Sequence, residues 1–295
     1  MLGKDFFVFW QIAQSILSGA PLYTTPESLY PPATLLFFTP LGLLPFNLAF
    51  AIWSGINVLL YTISVRSMSK ENVLGWFLFT PTLFILLTGQ IDIIFLWVST
   101  LLTSKQTWKK VLAAVVLTLK PQIAFIILPW VLVRWLKQQP KTVLLWGIGC
   151  LFLHGLPLLI DRGIYSKWIE ATRIYSENRM LLSPGIFGLT NFSISIWVLS
   201  IFALAIMIFG LFQNEAISRT AQILALPMGI WYENIFLVGV LSWKWLVPIS
   251  WVCYILAYLL KTSSVLILIP FLTFLTLIFK QAKLGSDQKQ TKQTT

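Results

Sequence analysis

Two stretches without an Asp, Glu, Lys or Arg, 142–160 and 180–214, most constrain what this chain can fold into. Crossing a bilayer takes roughly 20 predominantly apolar residues, and both stretches are long enough. Inside lipid every backbone N–H and C=O must be satisfied within the spanning structure, so segments of this composition are helical. The rest of the chain agrees: 11% of its 295 residues are charged, against about 25% in a soluble domain. The expected fold is all-α, a polytopic membrane helix bundle of about 9–11 membrane segments with short or broken helices. The net charge of +11 then belongs to cytoplasmic loops and lipid headgroups rather than to a nucleic-acid partner. Cys150 and Cys253 both lie in apolar runs, where neither a disulfide framework nor a cysteine metal site is expected. No cofactor and no metal is expected elsewhere. No cleavable signal is expected either, since the first residues are polar rather than basic and then apolar.

Residues 1–32 concentrate polar and turn chemistry ahead of the apolar bulk. Asp5 stands just before Phe6, Trp10, Ile12, Ala13 and Ile16, a spacing that predicts a short amphipathic helix to about Leu17, stopped by Gly19 and Pro21. Tyr30-Pro31-Pro32 is then a stiff extended step, because each proline fixes its φ and biases its predecessor out of the helical region. The segment reads as an extracytoplasmic catalytic loop resting on the membrane, with its carboxylate at the mouth of a helix bundle over 33–280. Residues 281–295 read as a disordered cytoplasmic tail.

Along the bundle, apolar runs end at Arg66, Gly89-Gln90, Lys105, Lys120-Pro121, Arg134 and the long polar stretch 161–190. With 1–32 outside, eleven crossings leave most of the 21 basic residues in inner loops, the expected sign for basic loops kept inside. Two of these crossings are assigned to 220–230 and 232–243. The run Val111–Leu119 would rise only about 14 Å at 1.5 Å per residue. A helix that stops half-way must be surrounded by protein or line a wet cavity. Several such ends share the outer side and suggest a water-filled cavity opening outward.

The polar residues at these ends are the candidates for chemistry. Asp5 fits either a helix N-cap or a base at the cavity mouth. Gln90 and Asp92 fit either an interfacial turn or a hydrogen-bonding wall. Lys120, with Gln122 beside it, is either a snorkelling lysine or a cation aimed at an anionic group. In the polar stretch most charges read as a solvated face, with Arg162 and Lys167 the better placed for a lipid phosphate. His154, the one histidine, reads more readily as a packed, hydrogen-bonded residue than as a ligand. Tyr30, Glu233 and Asn234 complete the polar breaks on the same side.

Asp5-Phe6 with Trp10, Gly19 and Tyr23, then Tyr30-Pro31-Pro32, Pro40-Leu41, Leu44-Pro45, Trp53, Gly89-Gln90 and Lys120-Pro121 occur in that order. In these residues, and more weakly in Pro227 and Trp231, the chain resembles glycosyltransferase family 87. This is the polyprenol-phosphate-mannose-dependent mannosyltransferase group of the GT-C superfamily. The resemblance implies a GT-C fold with an extracytoplasmic site, a polyprenyl-phosphate sugar donor and a lipid or glycan acceptor. It also implies Asp5 as catalytic base and Lys120 facing the cavity. Transfer would proceed with inversion, through an oxocarbenium-like state.

The chain departs from the family's pattern twice. The family has a transmembrane helix before this loop, whereas this chain begins four residues ahead of Asp5. The expectation is a member without its first transmembrane helix. Where members often have a late outer histidine, this chain has Tyr232-Glu233-Asn234. The phosphate contact would then fall to His154 or to a cation of 162–179. A transporter or lipid flippase is the second reading, since broken helices around polar groups also describe transporters. Such proteins usually carry paired repeats, and none is visible between 40–140 and 190–280. An inactive truncated remnant that keeps only the bundle is the third.

Overall fold

The computed structural model describes residues 2–23, 29–175 and 182–293, with side chains as far as 284. All regular structure among the described residues is helical. The first helix, α1 (Lys4–Ser18), ends at Gly19, whose φ of 69° lets its N–H and that of Ala20 close on the last carbonyls of α1. Phe6, Phe9, Ile12 and Ala13 form its buried face, so Phe9 joins the residues expected from the sequence, while Trp10 and Ile16 are only half-buried. The N-cap is Gly3, with Asp5 in the first turn rather than at the cap. Capping is therefore not what Asp5 does here. Pro31 is extended and Pro32 opens α2 (Pro32–Phe38), where a missing N–H costs nothing.

The long helices frame the molecule. α3 (Phe46–Met68), α9 (Pro140–Ile160) and the apolar run Ser263–Leu284 within the last helical stretch are long and apolar enough to cross a membrane. Shorter apolar helical runs are Pro32–Leu43, Asp92–Thr103, Ile196–Leu211 and Trp243–Leu259. The protein is a multi-pass membrane protein. Large apolar side chains such as Leu151, Phe152, Trp197 and Ile201 face outward, as they do when the surrounding solvent is lipid rather than water.

Between the long helices lie broken ones. α4 (Val73–Phe77) and α5 (Thr80–Thr88) divide the run 76–87, because Pro81 can enter a helix only in its first turn. α5 stops at Gly89, and α6 (Asp92–Thr100) starts three residues later. α7 (Thr107–Leu117) and α8 (Pro121–Gln138) are interrupted in the same way at Lys120. At 1.5 Å per residue α5 and α6 each rise about 14 Å, half a bilayer's hydrocarbon.

α10 (Ile164–Tyr175) follows α9, and α11 (Ile196–Leu211) leads into α12 (Glu215–Leu224). The crossings expected at 220–230 and 232–243 do not form. α12 ends at Leu224 short of Pro227, and Trp231–Leu237 is a buried 3-10 turn packed on α5 and α6. The apolar residues here are buried inside the protein rather than facing lipid. α13 (Trp243–Leu259) and α14 (Leu268–Gln293) close the chain. α14 stays helical into the stretch from 281 that the sequence suggests is a tail.

One aromatic core ties α1 to this frame. The Phe6 ring lies 5.7 Å from Trp53, and Phe9 stacks on Phe38 at 4.2 Å with their planes 2° apart. Gly3 N–H donates to the Leu87 carbonyl at the end of α5, so the N-terminus of α1 rests on the α5–α6 break.

Candidate active site

Interruptions of the helical chain meet at a cavity of about 550 Å³, within the usual range of roughly 300–1,000 Å³ for small-molecule sites. α1 contributes Asp5, and the extended step before α2 contributes Tyr30. The α5–α6 break contributes Gln90, the α7–α8 break Lys120 and Gln122, and the 3-10 turn Glu233. The rest of the wall is largely apolar, with Phe125, Leu226, Met228 and Ile230. Trp168 and Thr172 of α10 close it.

Each polar group is held by a specific contact. Gly89 has φ 78°, and a Cβ there would lie 2.6 Å from the Cβ of Phe6. A glycine therefore lets α1 approach the break, with Asp5 and Gln90 lining the same cavity. Trp53 donates its indole N–H to the Gly89 carbonyl at 2.8 Å and fixes the turn. Tyr30 donates its hydroxyl to Gln90 Oε1 at 3.0 Å, and Tyr23 donates to the Tyr30 carbonyl, also at 3.0 Å. Thr34 of α2 donates to the Leu119 carbonyl, satisfying a group that the end of α7 would leave orphaned. Asp5 is half-buried, and no described residue hydrogen-bonds its carboxylate. It stays available to a ligand in the cavity.

Lys120 is the centre of the charged part. It is 4% exposed, so it does not snorkel to an interface. Its Nζ lies 2.7 Å from Asp92 Oδ1 and 3.2 Å from Glu233 Oε1, with the Tyr232 ring centroid at 5.3 Å. Both carboxylates are buried. An unpaired charge there would cost several kcal/mol, which is why the three occur together. Glu233 Oε2 also accepts from the Ile230 N–H at 3.3 Å. The Gly229 position is required by that carboxylate, since a Cβ there would come within 2.2 Å of Oε2.

The other sequence candidates lie elsewhere. Asp92 stands behind Lys120 and does not line the cavity. Asn234 is buried beside Glu233 in the chain, its amide atoms without a hydrogen-bond partner among the described residues. His154 on α9 pairs with the Thr118 hydroxyl at 2.8 Å, and Tyr165 of α10 donates to its carbonyl at 2.7 Å. Arg162 is exposed and absent from the cavity wall. Lys167 pairs with Asp161 at 2.6 Å on the surface. That ammonium, with the Gly163 N–H, holds the Asp161 carboxyl below its ordinary range. Residues 24–28 and 176–181, with Glu177 and Arg179, lie outside the described residues.

Sequence reasoning did not find the α10 wall or the pairing of Lys120 with Asp92 and Glu233. The signal for the pairing was present, since three isolated charges in apolar surroundings have to find each other. The α10 wall had none, because Trp168 reaches the site by donating to the Leu29 carbonyl at 3.0 Å from far along the chain.

A family model described as Glycosyltransferase family 87 matches residues 29–277. The match takes in every cavity residue discussed above except Asp5. No curated protein and no solved structure matches the chain.

Proposed function

We propose, since the chain belongs to glycosyltransferase family 87, that it transfers a sugar from a polyprenyl-phosphate donor to a lipid or glycan acceptor. In this reading the sugar is mannose and the site opens on the extracytoplasmic face. The observation that carries the proposal is the convergence on one cavity with an apolar wall of a buried lysine and a half-buried carboxylate that has no partner among the described residues. These are the groups the reaction needs. The lipid phosphate is already a good leaving group, so the protein must supply a base for the acceptor and a polar cradle for the departing anion.

Asp5 takes the proton of the acceptor hydroxyl as its oxygen bonds to the anomeric carbon. The bond from that carbon to the phosphate oxygen breaks, and its electron pair leaves with the lipid phosphate. Attack from the face opposite the phosphate inverts the anomeric centre. Asp5 sits in the first turn of α1 and lines the cavity. Lys120 faces the phosphate, and Tyr30, Gln90 and Gln122 offer hydrogen bonds that orient the sugar. The apolar residues Phe125, Leu226 and Met228 suit the lipid portion. Arg162 and Lys167 are less well placed for the phosphate than Lys120. His154 is held between α7, α9 and α10, where it supports the α10 wall.

The test is Asp5→Asn, which keeps the size of the side chain but cannot take a proton near neutrality. Transfer from polyprenyl-phosphate mannose in membranes should fall about 100-fold or more, within the usual worth of a general base. Wild-type turnover at equal abundance would remove Asp5 from this role.

A further inference from the structure

Lys120 already has anions on it. Its ammonium contacts two carboxylates, and with all three groups ionised the cluster has one negative charge in excess. Two carboxylates that share one cation in a low-dielectric site resist ionising together. The two are not equivalent. Asp92 is fully buried, makes the shorter contact and does not line the cavity, whereas Glu233 lines it next to Lys120. A phosphate reaching Lys120 from the cavity therefore arrives on the side where Glu233, and not Asp92, stands.

From this geometry we infer that Glu233 occupies the phosphate position on Lys120 and yields it by taking a proton when the anionic donor binds. Asp92 keeps its place behind and holds the lysine. The proton comes from solvent and resides on a Glu233 oxygen, so the net charge of the cluster rises by one and offsets the single negative charge the phosphate adds. The protonated carboxyl then donates its O–H to a phosphate oxygen. Donor binding is thereby coupled to uptake of one proton and weakens as pH rises through the range where Glu233 is ionised. The ionisable groups facing Glu233 are Asp92 from α6 and Lys120 from the α7–α8 break, with Tyr232 on its own turn. Lys4, Asp5 and Tyr30 share the cavity. Of the other packed helices, α5 has no ionisable side chain, α12 has Glu215 and Arg219 paired with each other, and α14 has its first charge at Lys280.

The inference rests on the donor-phosphate reading, and one experiment separates the two. The probe is farnesyl methyl phosphate, a phosphodiester whose single charge does not titrate near neutrality. Its binding to the detergent-solubilised full chain is measured by calorimetry in buffers of different ionisation enthalpy. Wild type should take up about one proton per probe, and its affinity should fall about tenfold per pH unit in the responsive range. Glu233→Gln should take up none and bind with little pH dependence. Wild-type binding without proton uptake, or uptake that persists in Glu233→Gln, overturns the coupling and leaves the donor reading standing. No binding to wild type overturns both. The wild-type pH series decides the matter even if Glu233→Gln does not fold.

Discussion

Lys120 shows how a single residue can serve structure and chemistry at once. Its removal strands two buried carboxylates, so Lys120→Gln affects the fold as well as any contact to substrate. A buried pair that loses one partner typically costs about 3–5 kcal/mol. The expected outcome for Lys120→Gln is a loss of that size in the unfolding free energy of the solubilised protein, followed by tryptophan fluorescence. Combining it with Asp92→Asn and Glu233→Gln should recover a large part, because nothing charged then remains unpaired. A triple variant no more stable than the single one would mean that the three side chains are not energetically coupled. Activity measurements on Lys120 variants are interpretable only beside this stability series.

At the scale of elements, the site depends on helices that stop. α5 and α6 meet at Gly89, and α1 is pressed against that glycine by Phe6. A non-glycine residue held in the left-handed region costs about 1–2 kcal/mol, and any side chain at 89 would also overlap Phe6. Gly89→Val should therefore destabilise the protein by more than about 2 kcal/mol, and it should separate Asp5 from Gln90, abolishing transfer. Thermal unfolding with an activity assay checks both. Near-wild-type values for both would show that α1 does not need this close approach. Gly42 is a milder version of the same contact, since a Cβ there would lie 2.8 Å from that of Ala13.

For the whole molecule, α9 provides the ruler. Its 21 residues rise about 32 Å at 1.5 Å each, long enough to hold Gln139 before it and α10 after it at opposite faces of a bilayer. α10 closes the cavity, and the basic residues Arg134, Lys137 and Lys141 cluster at the other end, the expected sign for the inner side. With Cys150 and Cys253 replaced by serine, Ser166→Cys should react with an impermeant thiol reagent added to intact cells. Gln138→Cys should react only after permeabilisation. The reverse pattern would put the cavity on the cytoplasmic face.

Much of this was legible along the chain. Uncharged runs determined a helical membrane protein. Gly19, Gly89 and Lys120-Pro121 marked where helices stop and Pro31-Pro32 where one starts, because glycine and proline act through local backbone sterics that no distant contact changes. The 3.6-residue pattern after Asp5 located Phe6, Ile12 and Ala13 on the buried face of α1 but not Phe9. Tertiary structure alone decided that these stops converge, that α10 supplies a wall and that Lys120 is shared between Asp92 and Glu233. Hydropathy records how apolar a segment is, not whether lipid or protein surrounds it, and so 232–243 resembled a crossing while Trp231–Leu237 is a turn inside the bundle. Which buried charge meets which is set by packing between segments far apart in the chain, and periodicity carries no record of that distance.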